Sequence, residues 1–430
     1  MKLILSGHIL LWYSFRPRTY KIIDPCLPEV YTIAMAIQVG IGLSRETNPS
    51  LAAKEAVRRA KINLDSEKID LAIAFSSTNL AYPGLLKTIA SCLSGAPLLG
   101  CSGMAIISQQ GIYKNGLIIM LLAFSKDAYF TTACVKEIKN KGSLSAGEEL
   151  GEKLLYGFQD IRRDLGITFS AGLIEDSSSF IAGLQERLGK SFPFIGGHAS
   201  DNLGFKKTFV YYNQELLSDA AAAMLLGGKL NFAIGVKHGW KPLGKPRRVT
   251  KSSANTVYEI DDLPAANIYE EYFALDLASL KKELKRISIL YPIGIYLPGE
   301  KEYLLRNLIS IHDDGSLFFQ ANVPQGSQIR LMIGTKDSCL LATRQALEEV
   351  KNGLLGRKVN FALVFDSVSR YILLGRQAEQ ELKIIKESLG EDTQIIGLYT
   401  YGEQAPLRAV NYQGMTRLHN QTITILGISA

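Results

Sequence analysis

Two reactive side chains stand next to turns that follow short apolar runs. Cys101 follows residues 98–100, and His198 comes shortly after residues 192–195. A thiol and an imidazole form a nucleophile and its base if the fold brings them within hydrogen-bond reach. The sequence supplies no such distance. The pattern favours the alternative, in which Cys101 is a small buried residue and His198 a donor within a turn.

Charged residues near strands offer a second kind of chemistry. Arg370 begins a helical stretch, and Glu403 lies in a later turn. On one sheet edge, a guanidinium and a carboxylate could clamp the carboxyl and amino groups of a small zwitterion. A structural ion pair at a helix N-terminus stays an equal alternative. Arg306 lies on an otherwise apolar strand, where it needs a partner, and is either structural or a ligand anchor.

A strand–helix–strand pattern that could position these residues occurs three times. An apolar run is followed by polar residues, a helix-length stretch, a second apolar run and a glycine-containing turn. The predicted elements are strand 70–76, a helix to about 93 and strand 98–100; strand 170–174, a helix to 188 and strand 192–195; strand 361–365, a helix 370–389 and strand 394–398. Further strand candidates follow each pattern, including 104–108, 116–124, 206–212 and 220–226.

This pattern predicts an α/β fold with mixed sheets built from repeated β-α-β-β-β units. Similarity among ordinary β-α-β units is the alternative to a true triplication. Parallel strands joined by a helix end at one sheet edge, where open α/β sheets bind ligands. Polar residues collect at these predicted edges, namely Ser76, Ser77, Asn79, Asp176, Ser177, Asp366, Ser367 and Ser369.

The segment between the second and third patterns reads differently. Short strands are predicted at 232–236, 248–251, 257–260, 293–296, 303–311, 317–319 and 328–332, with helices at 275–290 and 336–351. A helix start at Asp261–Pro264 places a domain boundary near 262. The predicted domains are 64–262 and 263–407, with an N-terminal extension and first strand over 1–63 and a C-terminal strand within 408–430.

Charge and composition exclude several classes of protein. The 430 residues carry 48 Lys and Arg against 41 Asp and Glu, a net charge of +7. Six basic residues fall in the segment 237–251, where Trp240 could stack on a nucleic-acid base or help bind an acidic partner. A solvated hairpin is the favoured interpretation, because nucleic-acid binding usually needs a broader basic face.

The motifs of several cofactor and metal sites are absent from the sequence. It contains no phosphate-binding loop of the Walker type, no dinucleotide fingerprint and no HExxH or GxSxG motif. Its five cysteines are far apart and lack zinc-ligand spacing, so we expect reduced thiols, a cytoplasmic protein, and neither cofactor nor metal.

The N-terminus and the apolar runs bear on membrane targeting. Residues 3–15 loosely mimic a signal peptide, but no small-residue cleavage site follows directly, so we expect no secretion. Residues 1–34 could instead be a mis-assigned extension ahead of a start at Met35. The apolar run 116–124 has about half the roughly 20 residues that cross a bilayer, so no membrane span is predicted.

Four segments together resemble the FIST domain family. VFDSVSRYILLG at 364–375 and DTQIIGLYTYGEQAP at 392–406 resemble its C-terminal half. FPFIGGHASDN at 192–202 and the segment 237–265 resemble its N-terminal half. The resemblance covers about 64–407 and implies a bacterial sensory protein for small ligands, amino acids among them, that signals through a partner protein in trans.

The resemblance also has departures. Relatives often carry Cys-x-x-Arg where this chain has Ser367 with Arg370, and a Gly-Glu pair where it continues Ser102-Gly103-Met104-Ala105. The ligand could therefore differ here. The predicted ligand-binding residues are Ser76, Ser77, Asn79, Cys101, Ser102, Gly197, His198, Asp201, Trp240, Arg306, Ser367, Arg370, Tyr399, Thr400 and Glu403.

Three functions follow as hypotheses. The leading one is a cytoplasmic small-molecule sensor without catalysis, because polar groups gather at strand ends and no catalytic constellation stands out. The second is a hydrolase or transferase that uses Cys101 or a serine near 76–77 or 367. The third is an interaction protein that binds an acidic partner through 237–251.

Overall fold

A computed structural model describes residues 37–159, 161–228, 230–408 and 414–429. The start proposed at Met35 and the nature of residues 1–34 lie outside the described residues. Within the described part of the chain, the strands form three six-stranded sheets and one eight-stranded sheet.

The first two repeats have the same order of elements. Each has an outer strand, a helix, a central strand, a crossover helix, a parallel strand, a hairpin and a last strand. Unit 1 consists of β1 (Ile37–Ser44), α1 (Pro49–Asn63), β2 (Leu71–Ser77), α2 (Pro83–Cys92), β3 (Leu98–Gly103), β4 (Ile106–Ser108), β5 (Gly111–Tyr113) and β6 (Leu117–Phe124). Unit 2 consists of β7 (Tyr129–Lys136), α3 (Ile138–Lys141), α4 (Ser143–Tyr156), β8 (Arg163–Ser170), α5 (Ser177–Leu188), β9 (Phe194–His198), β10 (Val210–Tyr212), β11 (Glu215–Leu217) and β12 (Ala220–Gly227).

The third repeat is interrupted after its outer strand, β13 (Asn231–Lys237), by residues 238–335, which we call the insert. The insert consists of β14 (Lys241–Ser253), β15 (Thr256–Ile260), β16 (Leu263–Pro264), α6 (Asn267–Phe273), α7 (Leu277–Leu290), β17 (Ile293–Ile295), β18 (Leu304–Arg306), β19 (Leu308–Ile311), β20 (Leu317–Phe319) and β21 (Gln328–Ile333). Its strands form the eight-stranded sheet, and they pack with α6 and α7 around a separate hydrophobic core.

Unit 3 then resumes and repeats the same series. It continues with α8 (Lys336–Gly353), β22 (Phe361–Ser367), α9 (Val368–Leu374), α10 (Ala378–Leu389), β23 (Gln394–Thr400), β24 (Gly402–Pro406), β25 (Thr416–His419) and β26 (Ile423–Ser429). The triplication predicted from the sequence is therefore confirmed, as is the α/β fold with mixed sheets.

The three units are interlocked through their hairpins. The hairpin β4–β5 of unit 1 pairs with β23 of unit 3. The hairpin β10–β11 of unit 2 pairs with β3 of unit 1, and β24–β25 of unit 3 pairs with β9 of unit 2. Each six-stranded sheet thus contains four strands of one unit and two of another, which joins the units in a closed ring.

A glycine recurs at one register position where the two parallel strands of each unit meet. Gly100 lies opposite Ala74, Gly196 opposite Thr168, and Gly397 opposite Val364. A Cβ at these positions would lie 1.8, 2.1 and 2.5 Å from the carbonyl oxygen of the opposite residue. Only glycine allows this close backbone approach, which explains why the strand-end glycines repeat.

Three phenylalanines mark the centre of the ring. Phe75, Phe169 and Phe365 lie one residue beyond the positions opposite those glycines. Their ring centroids are 5.5, 6.1 and 6.2 Å apart, and all three are fully buried. The core therefore sits on a pseudo-threefold axis.

Several predicted element boundaries are wrong. The strand predicted at 170–174 lies instead at Arg163–Ser170. The apolar residues after Ser170 belong to the turns around Gly172, so the apolar run did not mark the strand. The helix predicted over 370–389 is two helices, since Gly375 ends the first with a φ of +56°. The strand predicted at 303–311 is two strands separated by Asn307.

Two further segments differ from expectation. The helix start predicted at 77–79 is a short 3-10 turn, Thr78–Leu80, and the helix begins at Pro83. The basic segment 237–251 is mainly the strand β14 of the insert rather than a loop. The domain boundary near 262 stays a prediction, and this position lies in the turn between β15 and β16.

Candidate functional site

The parallel strands of unit 3 end in a pocket. Ser367 is the last residue of β22 and caps α9 through a bond from the Ser369 N–H to its hydroxyl oxygen, at 3.3 Å. Thr400 is the last residue of β23 and lies opposite Ser367 in the parallel register. Both residues line a pocket of about 390 Å³. This is the sheet edge at which open α/β sheets bind ligands.

The insert supplies the opposite wall of this pocket, which we call the edge pocket. From the insert come Leu284, Lys285, Ser288, Ile289, Asn307, Leu308, Ile309 and Gln320. The repeats contribute Leu203, Phe205, Ser367, Val368, Ser369, Ile372, Thr400, Tyr401, Asn420 and Gln421. The walls are largely apolar, and Lys285 is the one charged residue among these described lining residues.

Two amides in the turn between β25 and β26 carry unpartnered atoms. Asn420 and Gln421 are each 1% exposed. The Asn420 Nδ2 and the Gln421 Oε1 have no hydrogen-bond partner among the described residues. Buried polar atoms are nearly always bonded, so a donor and an acceptor without a protein partner, on two residues that line the pocket, are the candidate contacts of a ligand or water.

The remaining amide atoms are held in place by the insert. Asn420 Oδ1 accepts from the Asn307 backbone N–H at 3.3 Å, and Gln421 Nε2 donates to the Ser288 carbonyl at 2.7 Å. Gln421 has a φ of +57°, in the left-handed region that side chains rarely adopt. This backbone conformation shapes the turn between β25 and β26, and the two hydrogen bonds to the insert hold the amides in place.

Asp201 organises the loop that closes another side of the pocket. Its carboxylate accepts from the backbone N–H groups of residues 204–207 at 2.8 to 3.2 Å and from the Tyr401 hydroxyl. Burial alone would raise the pKa of Asp201, but these bonds hold it below its usual value. Phe205, in this loop, stacks on Tyr401 with ring centroids 4.5 Å apart. Asp201 therefore shapes the pocket without lining it.

Glu403 lies behind Thr400 and is fully buried. Burial raises its pKa to about 8. Thr400 Oγ1 lies 2.7 Å from Glu403 Oε1 and 3.2 Å from the Asp366 carbonyl, but a hydroxyl has only one hydrogen to donate. A protonated Glu403 resolves this, since it donates to Thr400 while Thr400 donates to Asp366. The raised pKa favours the neutral carboxyl near pH 7, and this arrangement accommodates it.

Arg370 does not form a clamp with Glu403. It is fully buried, and its guanidinium bonds to Asp366 at 2.7 Å and to Glu381. It also donates to the His238 and Cys339 carbonyls at 2.7 and 3.2 Å. The zwitterion clamp is thus replaced by a structural ion cluster, which is the alternative left open by the sequence. Burial and repulsion from Glu381 raise the pKa of Asp366 despite the bond to Arg370.

The proposed thiol–imidazole pair lacks a reactive thiol. Cys101 is fully buried in the axial core, and burial raises the pKa of its thiol far above the usual value. The nucleophile is a thiolate, which this environment disfavours. Burial lowers the pKa of His198 to about 4, so the ring is neutral, and its Nε2 has no partner within the described structure.

The other predicted residues near the strand ends of unit 1 are engaged in internal bonds. Ser76 Oγ lies 2.6 Å from the Tyr211 hydroxyl, and Ser102 accepts from the Phe209 N–H at 3.0 Å. The Ser77 hydroxyl oxygen accepts from the Gly116 N–H at 3.3 Å, and the exposed Asn79 donates to Asn115 at 3.3 Å. These serines are not among the residues that line the edge pocket.

Four predicted residues pack elsewhere. A Cβ at Gly197 would meet Phe365 and Thr400, so this residue allows close packing near the axis. Tyr399 is buried against Tyr371. Trp240 is buried, and its Nε1 donates to the Leu290 carbonyl at 3.2 Å. Arg306 lines a different, smaller cavity.

Three of the six basic residues in this segment, Lys237, Arg247 and Lys251, form ion pairs within the described structure. Lys237 pairs with Glu302 at 3.3 Å and Glu349 at 2.8 Å. Arg247 pairs with Asp261 at 3.2 Å and with Glu271. This surface therefore presents a weaker field to an acidic partner than the sequence indicated.

Sequence reasoning missed the amides that define the edge pocket. Asn420 and Gln421 lie in the polar run HNQT between two apolar strands, near the end of the chain. That run signals a turn, but only the fold shows that the turn meets the ends of β22 and β23. Asn307 and Gln320 lie in the insert, and their chain positions give no sign of this contact.

The described residues give no sign of a metal or a membrane span. No three histidine, cysteine or acidic side chains are grouped as metal ligands in the part of the chain that the structure covers. None of the described helices combines the length and hydropathy that crossing a bilayer requires.

Comparison with known proteins identifies two matching domain models. Residues 70–263 match the FIST N domain and residues 265–406 match the FIST C domain. An uncharacterized protein of Methanocaldococcus jannaschii is 27% identical over 337 residues, which cover 71% of this chain and 64% of that protein. An uncharacterized protein of Aquifex aeolicus is 23% identical over 200 residues, 39% of this chain and 72% of that one.

Among solved structures, similarity is distant. A cyanuric acid hydrolase from A. caulinodans aligns over 92% of this chain and 99% of its own at 8% identity, with a TM-score of 0.34. PurLQS from Thermotoga maritima aligns over 91% of this chain and 72% of its own at 11% identity, with a TM-score of 0.20. At these values neither likeness bears on function.

Proposed function

The chain belongs to the FIST family, and from this premise we propose that it is a small-molecule sensor that acts in signal transduction through a partner protein. FIST domains are associated with signalling. The single observation that carries the sensing role is the edge pocket with its unpartnered buried donor and acceptor, Asn420 Nδ2 and Gln421 Oε1. A volume of about 390 Å³ falls within the usual range for small-ligand sites.

The chemistry of the pocket favours an uncharged polar ligand. The free amide donor and acceptor complement a ligand that offers an acceptor beside a donor, as an amide, a ureide or a polyol does. The hydroxyls of Ser367 and Ser369 add further hydrogen-bonding groups, and the apolar walls suit a compact carbon skeleton. A free amino acid is less favoured, because Arg370 is sealed in its ion cluster and Glu403 is neutral near pH 7.

A hydrolase or transferase has less support. Its thiol candidate, Cys101, is protonated and buried in the core. Ser367 lines the edge pocket, but the hydrogen bonds of the described residues give it no histidine, lysine or carboxylate base that contacts its hydroxyl. We therefore propose that the protein binds a small molecule without catalysis.

We further propose that the protein works in the cytoplasm. Cys92, Cys101, Cys134 and Cys339 are free thiols, three of them buried. This is the usual state of cysteines in a reducing compartment.

Thermal-shift screening tests the sensing role. We expect stabilisation by members of a panel of uncharged amides, ureides and polyols, and weaker or no response to charged amino acids. A ligand at 100 times its Kd adds about 2.7 kcal/mol to the free energy of unfolding. Asn420→Ala should reduce the response at least tenfold in apparent affinity, whereas Asn79→Ala, on the exposed surface, should not. A flat response across the whole panel would count against the sensor.

A further inference from the structure

A second cavity lies where the insert meets α5 of unit 2 and β25 of unit 3, and its chemistry differs from that of the edge pocket. It has a volume of about 190 Å³. Its polar lining includes Arg306, Arg417, Ser178 and Ser327, and the described residues that line it include no acid. We propose that this cavity binds a phosphate-type oxyanion as a second ligand.

Arg306 holds a buried positive charge that no carboxylate of the described residues neutralises. The residue is 4% exposed. Its Nε donates to the Asn322 carbonyl at 2.8 Å, and its Nη1 donates to the Leu305 and Leu418 carbonyls at 2.8 and 3.1 Å. These bonds use three of the five N–H donors of the guanidinium. The two donors on Nη2 find no acceptor among the described residues.

An uncompensated buried cation is costly, and fixed carbonyl dipoles offset only part of that cost. The neighbouring charge aggravates it. Burial and the positive charge of Arg417 lower the pKa of Arg306 to about 9. Arg417 itself is half-buried and makes no ion pair within the described part of the chain. Two guanidiniums beside one cavity, neither neutralised by the protein, fit an anion that binds between them.

The remaining lining defines which anion fits. Ser178 and Ser327 offer hydroxyl donors beside the arginines. Ser178 lies in the first turn of α5, whose N-terminus is capped by Asp176 through a bond from the Ser179 N–H. Donors from several sides suit an anion with three or four oxygens better than a planar carboxylate. A water molecule occupies about 30 Å³, so the cavity of about 190 Å³ has room for about six water molecules. That space suits a phosphate group but not a phosphate that carries a large organic group.

The test is a titration of the full chain with sodium phosphate at constant ionic strength. The melting temperature is measured at each phosphate concentration. Sodium chloride and sodium acetate serve as parallel arms. We expect a saturable rise in melting temperature with phosphate and a weaker response to acetate. Arg417→Gln should weaken phosphate binding at least tenfold, while Arg248→Gln, on the exposed surface of the insert, should leave it unchanged.

Arg306→Lys provides a second variant that retains the positive charge but lacks the Nη2 donors. It should fold, as judged by cooperative melting, and bind phosphate more weakly than the wild type. If it does not fold, Arg417→Gln decides alone. Three outcomes would overturn the proposal: no saturable response to phosphate, equal affinity in wild type and Arg417→Gln, or a response to acetate that exceeds the response to phosphate. None of them depends on the ligand of the edge pocket.

Discussion

At the scale of single residues, Glu403 is the group whose protonation the fold controls most clearly. It is a fully buried carboxyl behind Thr400, a residue that lines the edge pocket, and burial raises its pKa to about 8. The folded state therefore holds a proton that the unfolded chain releases above its usual pKa of 4.5. Folding that takes up a proton becomes less favourable as the pH rises.

This proton predicts a pH dependence of stability. Between pH 7 and pH 8.5, crossing the folded-state pKa of about 8, wild type should lose about 1 kcal/mol relative to Glu403→Gln. Urea denaturation at several pH values measures this difference. His198 acts in the opposite direction below its usual pKa of 6.5, outside this range. Parallel pH profiles for the two proteins would contradict a protonated Glu403.

At the scale of elements, the Arg370 cluster connects β22, α8, α9 and α10. The guanidinium bonds to Asp366 on β22 and Glu381 on α10, and it donates to the Thr343 hydroxyl on α8 at 2.9 Å. Removing one partner of a buried ion pair leaves an uncompensated charge. Arg370→Met should therefore destabilise the protein by about 3–5 kcal/mol in urea denaturation.

Arg376→Met is the matched control for this prediction. Arg376 lies in the exposed turn between α9 and α10, six positions along the chain from Arg370. Its replacement should change the free energy of unfolding by less than about 0.5 kcal/mol. Similar losses in the two variants would show that the cluster does not join these elements.

The sequence predicted the helices and strands more accurately where nearby residues mark the ends of these elements. The apolar runs, the polar residues at strand ends and the glycine-containing turns allowed the three units to be recognised, because each unit repeats the same local signals. The strand at 170–174 was misplaced, since an apolar run does not show where a strand ends. The edge pocket was half predicted: Ser367 and Thr400 follow from strand ends, whereas Asn420 and Gln421 depend on contacts distant in the chain.

At the scale of the whole molecule, the three units form a ring by exchanging hairpins around the axial phenylalanines. Phe75, Phe169 and Phe365 occupy equivalent registers and contact one another. Substitution of any one by alanine should cost about 3–5 kcal/mol. The three losses should be similar, and double variants should show a coupling of about 0.5–1.5 kcal/mol. Urea denaturation of the singles and doubles checks this, and fully additive losses would contradict a shared axial cluster.

The insert makes the strand ends of unit 3 differ from those of units 1 and 2. The strand-end serines of units 1 and 2, Ser76, Ser102 and Ser170, bond to neighbouring parts of the ring. In unit 3 the strand ends face α7, β19 and Gln320 across the edge pocket. A ligand that touches both the ring and the insert would favour one arrangement of the two over others. Differential affinity of this kind is what a signal to a partner requires.

The central claim is that a metabolite occupies the edge pocket, and a pocket-filling variant tests it most directly. Ile372 lines the pocket from α9, so Ile372→Trp should block it, while Ile62→Trp, on the exposed face of α1, serves as control. Each protein is incubated with a total metabolite extract, washed and denatured, and the released compounds are identified by mass spectrometry. We predict an uncharged polar compound that is enriched on wild type and Ile62→Trp and lost from Ile372→Trp. Identical compounds released from all three proteins would contradict the account.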